Sequence, residues 1–174
     1  MVPRMVSDSE GALSGVFGEI RSRLGLGTVP AVFRAMAAVG HDVLVQNWTA
    51  FRRTVLEGSL PRTVKEMIAL VVSREQGCRY SVRFHSDSLS QLGIAPPVVQ
   101  SLAEQGDCPE FSSELRQMLA FARECCLDPE GADPERLEMA GFSEEHAEEV
   151  VDTVLIASGI ARFAVECGLA ADGD

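Results

Sequence analysis

Residues 77–85 read GCRYSVRFH, which sets Cys78, Ser81 and His85 at intervals of three and four. On a helix turning about 100° per residue, the three fall within about 60° of one another, on one face. Cys78 stands where that helix begins, and the free N–H groups and dipole of a helix start favour an anion. The thiolate is the reactive form of cysteine, so this sulfur is placed to act as a nucleophile. Twelve residues upstream lies Glu66, at the edge of an apolar segment. It can orient the imidazole of His85 or balance its charge, and His85 can accept or relay a proton. A carboxylate, an imidazole and a thiol in series have the layout of an activated nucleophile. Each residue alone has a plainer use: cysteine as a small core residue, histidine as a hydrogen-bonded one, glutamate as a cap or salt-bridge partner. Only their joint spacing points to chemistry.

Glu66, Cys78 and His85 also offer three ligands of the kinds found in an open catalytic zinc site. No second Cys or His pair supports a metal, and along one helix Cys78 and His85 are separated by about 10 Å of rise, so neither metal nor cofactor is expected. The other cysteines, Cys108, Cys125, Cys126 and Cys167, are irregularly spaced. Cys125 and Cys126 follow Leu115, Met118, Leu119 and Ala122 at helical spacing, which suits core packing, and neighbouring cysteines in a helix cannot bridge without distortion. Arg79 and Arg83 read as a solvated face near the sulfur, Tyr80 as a packing or pocket residue, and His41 and His146 as loop or helix-start residues.

The elements that must hold these side chains are helical nearly throughout, with no alternating run that argues for a strand. Helices are expected over 10–24, 31–39 and 42–57, the third ending at Gly58 with Val45, Trp48, Phe51 (or Arg52) and Val55 as its apolar side. Pro61 suits a first helical turn, and the helix after it is apolar on every side from Met67 to Val72, so protein must surround it. Glu66, Ala69, Ser73 and Gly77 form a narrow stripe on that helix that lets another come close. The chain restarts as a helix from Cys78 to about Leu92, with Val82, Leu89 and Leu92 continuing the site face. Further helices are expected over 96–103, 114–127, a short one opened by Asp133-Pro134, and a long one capped by Ser143 and reaching Cys167.

The sequence is 174 residues long, enough for one domain with a core. Its formal charge is −11, which repels phosphate and argues against a nucleic-acid partner. No run approaches the roughly 20 apolar residues of a membrane span, and the N-terminal stretch MVPRMVSDSEGALSG has no apolar signal-peptide core. A cytoplasmic protein with free thiols is the expectation, and not a disulfide framework.

The segment LPRTVKEMIALVVSREQGCRYSVRFHSDSLSQLG resembles the core signature of the alkylhydroperoxidase D-like branch of the carboxymuconolactone decarboxylase superfamily. That signature is a glutamate on a buried helix, then twelve residues on C-x-x-C-x-x-x-H, then a leucine–glycine helix end. The intervals from Glu66 to Cys78 and from Cys78 to His85 both match. The stretches VPAVFRAMAAVGHDVL, FRRTVLEGSLPR and AGFSEEHAEEVVDTVLIASGIARFA resemble the peroxidase-related members. The resemblance implies an all-α, alkylhydroperoxidase D-like fold in a single domain over residues 29–169. An N-terminal helical extension over 1–28 would precede it, and a flexible tail over 170–174 would follow. It implies a homo-trimer or homo-hexamer, a hydroperoxide or other small-molecule substrate, and a thiol or disulfide reductant. Carried over, Glu66 and His85 become the proton relay and Cys78 the first cysteine of the redox pair. The departure is Ser81, which stands at the second cysteine's place: its hydroxyl can hydrogen-bond but cannot close a disulfide. A sulfenic acid on Cys78 would then need a thiol from elsewhere. The leading expectation is a peroxidase-related thiol protein of antioxidant type. The alternatives are a decarboxylase-type lyase without dithiol chemistry and a non-catalytic oligomeric scaffold.

Overall fold

The computed structural model describes residues 6–169, with side chains from residue 11 onward; the tail expected over 170–174 lies outside the described residues. Among these there are nine α-helices, one π-helical turn and no strand, as the helical periodicity requires. The chain's contacts divide into two compact units, one up to residue 52 and one from residue 53 onward.

The first unit holds α1 (Val6–Leu24), α2 (Ala31–Val39) and α3 (His41–Phe51). α3 packs against both α1 and α2. Phe33 meets Trp48 and Phe51 edge-on at centroid distances of 5.5 and 5.7 Å, while Trp48 and Phe51 stack at 6.0 Å. Such pairs add to the area they bury. The inward residue of the first turn of α3 is Leu44; Val45, the expected one, is half-buried. Leu44, Trp48, Phe51 and Val55 recur at four, three and four, the tighter fit to one helical face. The backbone leaves α-geometry at a π-helical turn, Arg52–Leu56, where a continuous helix to Glu57 is expected. Side-chain periodicity over five residues does not separate these two backbone forms.

The second unit is built around α4 (Arg62–Glu75). Met67 is 5% exposed, and Ile68 to Val72 are wholly enclosed. α5 (Arg79–Gln91), α6 (Pro96–Gln105), α7 (Ser113–Leu127) and α9 (Glu144–Glu166) all pack on it, which is why the run from Met67 to Val72 has no polar side. Each large apolar side chain so buried stabilises by about 1.5–3 kcal/mol. The short α8 (Glu135–Met139) joins α7 to α9. Asp133 accepts the Glu135 N–H at 3.0 Å, the capping role expected of it. Ser143 accepts the His146 N–H at 3.2 Å to open α9, with the His146 ring returning to the Ser143 N–H, a reciprocal cap.

A buried lysine of this unit, beside the apolar run, is met by a carboxylate. Lys65 is 1% exposed; its ammonium donates to the Glu57 carbonyl and lies 2.6 Å from Glu149 Oε2. Glu149 also accepts the Ser59 N–H at 2.5 Å, the Ser59 hydroxyl at 2.6 Å and the Leu60 N–H at 3.1 Å. Burial alone would raise its carboxyl, but these donors bring it down to about 2. The chain passes over this pair at Gly58, whose φ is +105°. A Cβ there would stand 2.6 Å from Lys65 Nζ, so both the conformation and the space call for glycine.

Two expectations about the site helices are corrected. Ala69 and Ser73 are buried as the small-residue stripe predicts, but Gly77 is exposed with open space around its missing side chain. Its φ of +66° turns the chain from α4 into α5. Leu92 is 36% exposed at the end of α5, and Ser88 is buried on the site face instead. The preference of leucine for the interior gives way where the helix runs out from under its neighbours.

Candidate functional site

Cys78 is the N-cap of α5, with φ −86° and ψ 93°. Its sulfur accepts the Ser81 N–H at 3.4 Å, so the cap acceptor, usually a side-chain oxygen, is here a thiol. The Ser81 hydroxyl lies 3.2 Å from the same sulfur. Both residues are 2% exposed. The sulfur and the residue in the second cysteine's place are therefore neighbours, joined by the first turn of a helix.

One turn further along the same face, the His85 Nδ1–H donates to Glu66 Oε2 at 2.7 Å. Glu66 is fully buried and His85 is 3% exposed. The carboxylate reaches α5 from the first half of α4, the consequence of packing these two helices side by side. Its other oxygen, Oε1, accepts the Ser88 hydroxyl at 2.7 Å and the Arg62 Nε–H at 3.3 Å. Arg62 also donates to the Ser88 oxygen at 3.4 Å. Burial alone would raise the Glu66 carboxyl; the bond and charge of His85, the Ser88 hydroxyl and the Arg62 guanidinium together hold it below the usual carboxylate range. An ionised Glu66 can only accept, so Nδ1 of His85 carries the proton in that contact. The Phe84 ring meets His85 edge-on at 5.1 Å.

All four residues named from spacing thus lie on two touching helices, in two hydrogen-bonded pairs, Cys78 with Ser81 and Glu66 with His85. No hydrogen bond joins one pair to the other among the described residues. Nor do three His, Cys, Asp or Glu side chains gather there closely enough to hold a metal ion. Arg62 and Ser88 complete the carboxylate's surroundings and were not singled out by spacing. A signal was available: Arg62 is four residues before Glu66, and Ser88 is three after His85 on the same stripe.

The remaining cysteines are held elsewhere. Burial, then the Glu124 carboxylate, pushes the Cys125 thiol up to about 11. The Cys126 sulfur accepts from Gln76 Nε2 at 3.4 Å, and Cys125 and Cys126 both pack against the core. Cys108 is buried and Cys167 exposed. Tyr80 is buried, while Arg79 and Arg83 face solvent, the latter 3.8 Å from Asp87.

This is an all-α fold of the alkylhydroperoxidase D-like kind. The crystal structure of the alkylhydroperoxidase AhpD core of an uncharacterized peroxidase-related protein from Ralstonia eutropha JMP134 superposes with a TM-score of 0.81 at 23% identity. That match covers 95% of this chain and 87% of the other. The debrominase Bmp8 in its apo form superposes with a TM-score of 0.78 at 22% identity, over 98% and 91% of the two chains. Among curated proteins, the alkyl hydroperoxide reductase Rv2159c of Mycobacterium tuberculosis (strain ATCC 25618 / H37Rv) is 29% identical over 112 residues. These make up 64% of this chain but only 31% of that protein. The carboxymuconolactone decarboxylase family model matches residues 30–124. The chain belongs to the carboxymuconolactone decarboxylase family.

Proposed function

We propose that the protein is a peroxidase-related oxidoreductase of antioxidant type that reduces hydroperoxides with the single sulfur of Cys78. Glu66 and His85 serve as its proton relay, and the working domain is residues 29–169. The observation that carries this reading is the buried carboxylate–imidazole contact of 2.7 Å two turns along the helix that the Cys78 thiol caps. The resemblance to an alkyl hydroperoxide reductase over its matched third, and the family membership, support the same reading.

In this reading His85, with Nδ1 engaged by Glu66, uses Nε2 to take the thiol proton. The thiolate attacks the terminal oxygen of the hydroperoxide: the S–O bond forms, the O–O bond breaks, and the departing alkoxide takes up the proton. The products are Cys78 sulfenic acid and an alcohol. With Ser81 in place of a second cysteine, an external thiol condenses with the sulfenic acid and releases water. A second thiol then displaces the first as a disulfide and restores the Cys78 thiol. Ser81 keeps a hydrogen-bonding part, since its N–H and hydroxyl both reach the sulfur and can stabilise its anion.

The test is mass spectrometry of the protein exposed to an organic hydroperoxide, with and without a low-molecular-weight thiol. One oxygen or one mixed disulfide is expected on Cys78, with turnover of the hydroperoxide abolished in Cys78→Ser. Unchanged turnover in that variant would overturn the reading. A lyase using Glu66 and His85 would show the opposite pattern, indifferent to Cys78 and abolished by Glu66→Gln. The likeness to the debrominase is one of fold, and activity toward hydroperoxide decides which electrophile the sulfur serves.

A further inference from the structure

We propose that Arg62 and Ser88 are positioning residues that act through Glu66: by holding its Oε1, they commit Oε2 to His85 Nδ1 and leave Nε2 as the only nitrogen able to exchange a proton. The inference deepens the proposed thiol reading and rests on it. Glu66 is fully buried, and two carboxylate oxygens without water need several donors to remain ionised. Three are present, and they are divided. His85 alone takes Oε2 at 2.7 Å, while Ser88 at 2.7 Å and Arg62 at 3.3 Å share Oε1.

The division matters because a carboxyl free to rotate or to gain a proton would change what His85 sees. A protonated Glu66 could donate to Nδ1, driving the ring proton to Nε2 and removing the base from the side that must exchange it. The charged groups that bear on Glu66 are His85 from α5 and Arg62 from α4. Arg62 supplies a charge that does not depend on pH near neutrality. Ser88 is tied into the same group by its contact with Arg62 at 3.4 Å, so the hydroxyl and guanidinium brace each other as well as the carboxylate. A hydrogen-bonded partner behind a histidine fixes tautomer and ring orientation wherever an imidazole must present one chosen nitrogen.

The experiment uses the full chain labelled with ¹⁵N at histidine, with His85 assigned by the signal lost in His85→Gln. In the unsubstituted protein near pH 7, the ring nitrogens should report protonation at Nδ1. Ser88→Ala and Arg62→Gln should each shift the tautomer toward Nε2 protonation and slow alkylation of Cys78 by about tenfold, the size of one charge-assisted hydrogen bond. Ser88→Thr and Arg62→Lys should recover both readouts to within about threefold, as partial rescue of the same donors. Arg62 is 29% exposed and Ser88→Ala removes one oxygen, so both variants are expected to fold, which circular dichroism checks. Unchanged ¹⁵N shifts in both folded variants would overturn the proposal, as would a loss of Cys78 reactivity that the conservative variants fail to rescue. The tautomer is read without peroxide, so its result stands apart from whether Cys78 reduces hydroperoxides.

Discussion

Glu149→Gln keeps the size of the side chain and removes its charge, at a point where the structure allows the consequence to be worked out. Lys65 is 1% exposed, with its ammonium 2.6 Å from the carboxylate. In the variant that cation keeps the Glu57 carbonyl but loses its counter-charge. The amide must also turn an NH₂ toward donors, since the Ser59 N–H and hydroxyl, the Leu60 N–H and Lys65 all donate to Glu149. Removing one partner of a buried pair costs about 3–5 kcal/mol. Linkage gives a second route: a carboxyl brought from 4.5 to about 2 corresponds to about 3 kcal/mol at 1.36 kcal/mol per unit. Because the folded carboxyl is the more acidic one, this stabilisation is fully present above the unfolded value and is lost as pH falls from about 4.5 toward 2. Urea unfolding at pH near 7 should therefore show the variant less stable by about 3 kcal/mol, a fall in Tm of about 6–12 °C. Near pH 3 the gap should shrink to less than half. A loss below about 1 kcal/mol, or a gap indifferent to pH, would show that the buried ammonium does not depend on Glu149.

Three further outcomes follow from other parts of the molecule. Ser81→Cys should form an intramolecular disulfide with Cys78 under mild oxidant, since the present side-chain atoms are 3.2 Å apart; two free thiols after oxidation, by thiol titration, would refute this. Ile68→Ala should cost about 2–5 kcal/mol in chemical denaturation, because the side chain is wholly enclosed on a helix packed from several sides; a cost under about 1 kcal/mol would mean the site has collapsed around the gap. Leu127, Leu155 and Val165 are more than half exposed on α7 and α9, apolar surface of the kind that subunits cover. Sedimentation should give three or six times the 18.7 kDa of one chain, and a monomer at micromolar concentration would remove the oligomer from the reading.

The helical class, most element limits and the shared helix face of Cys78, Ser81 and His85 were legible in the sequence because each leaves a local mark. A face of a helix is written in intervals of three and four, and a helix start in the residues that can cap it. Thus Cys78, Ser81 and His85 could be placed on one stripe, and the run from Met67 to Val72 could be placed inside. What lay beyond reach was whatever depends on the neighbour across the interface. Spacing left Glu66 at the edge of its helix; packing against α5 buried it fully and set it against His85. Gly77 continued a small-residue stripe on paper, but the chain had already turned there, so it meets no helix. Leu92 was assigned to the interior by its place on the stripe and is 36% exposed at the end of the helix.

The helical character of the chain and the chemistry available to each helix were determined by the sequence alone, because periodicity, capping and side-chain reactivity act within a few residues. Only the tertiary structure decided which donors share the Glu66 carboxylate and which base meets Lys65. Arg62, Ser88, Ser59 and Glu149 come from separate turns and helices, and Glu149 is some ninety residues from the loop it holds. Buried charges must find partners wherever the packed helices bring them, and spacing within one helix cannot say which of the residues it brings near will serve.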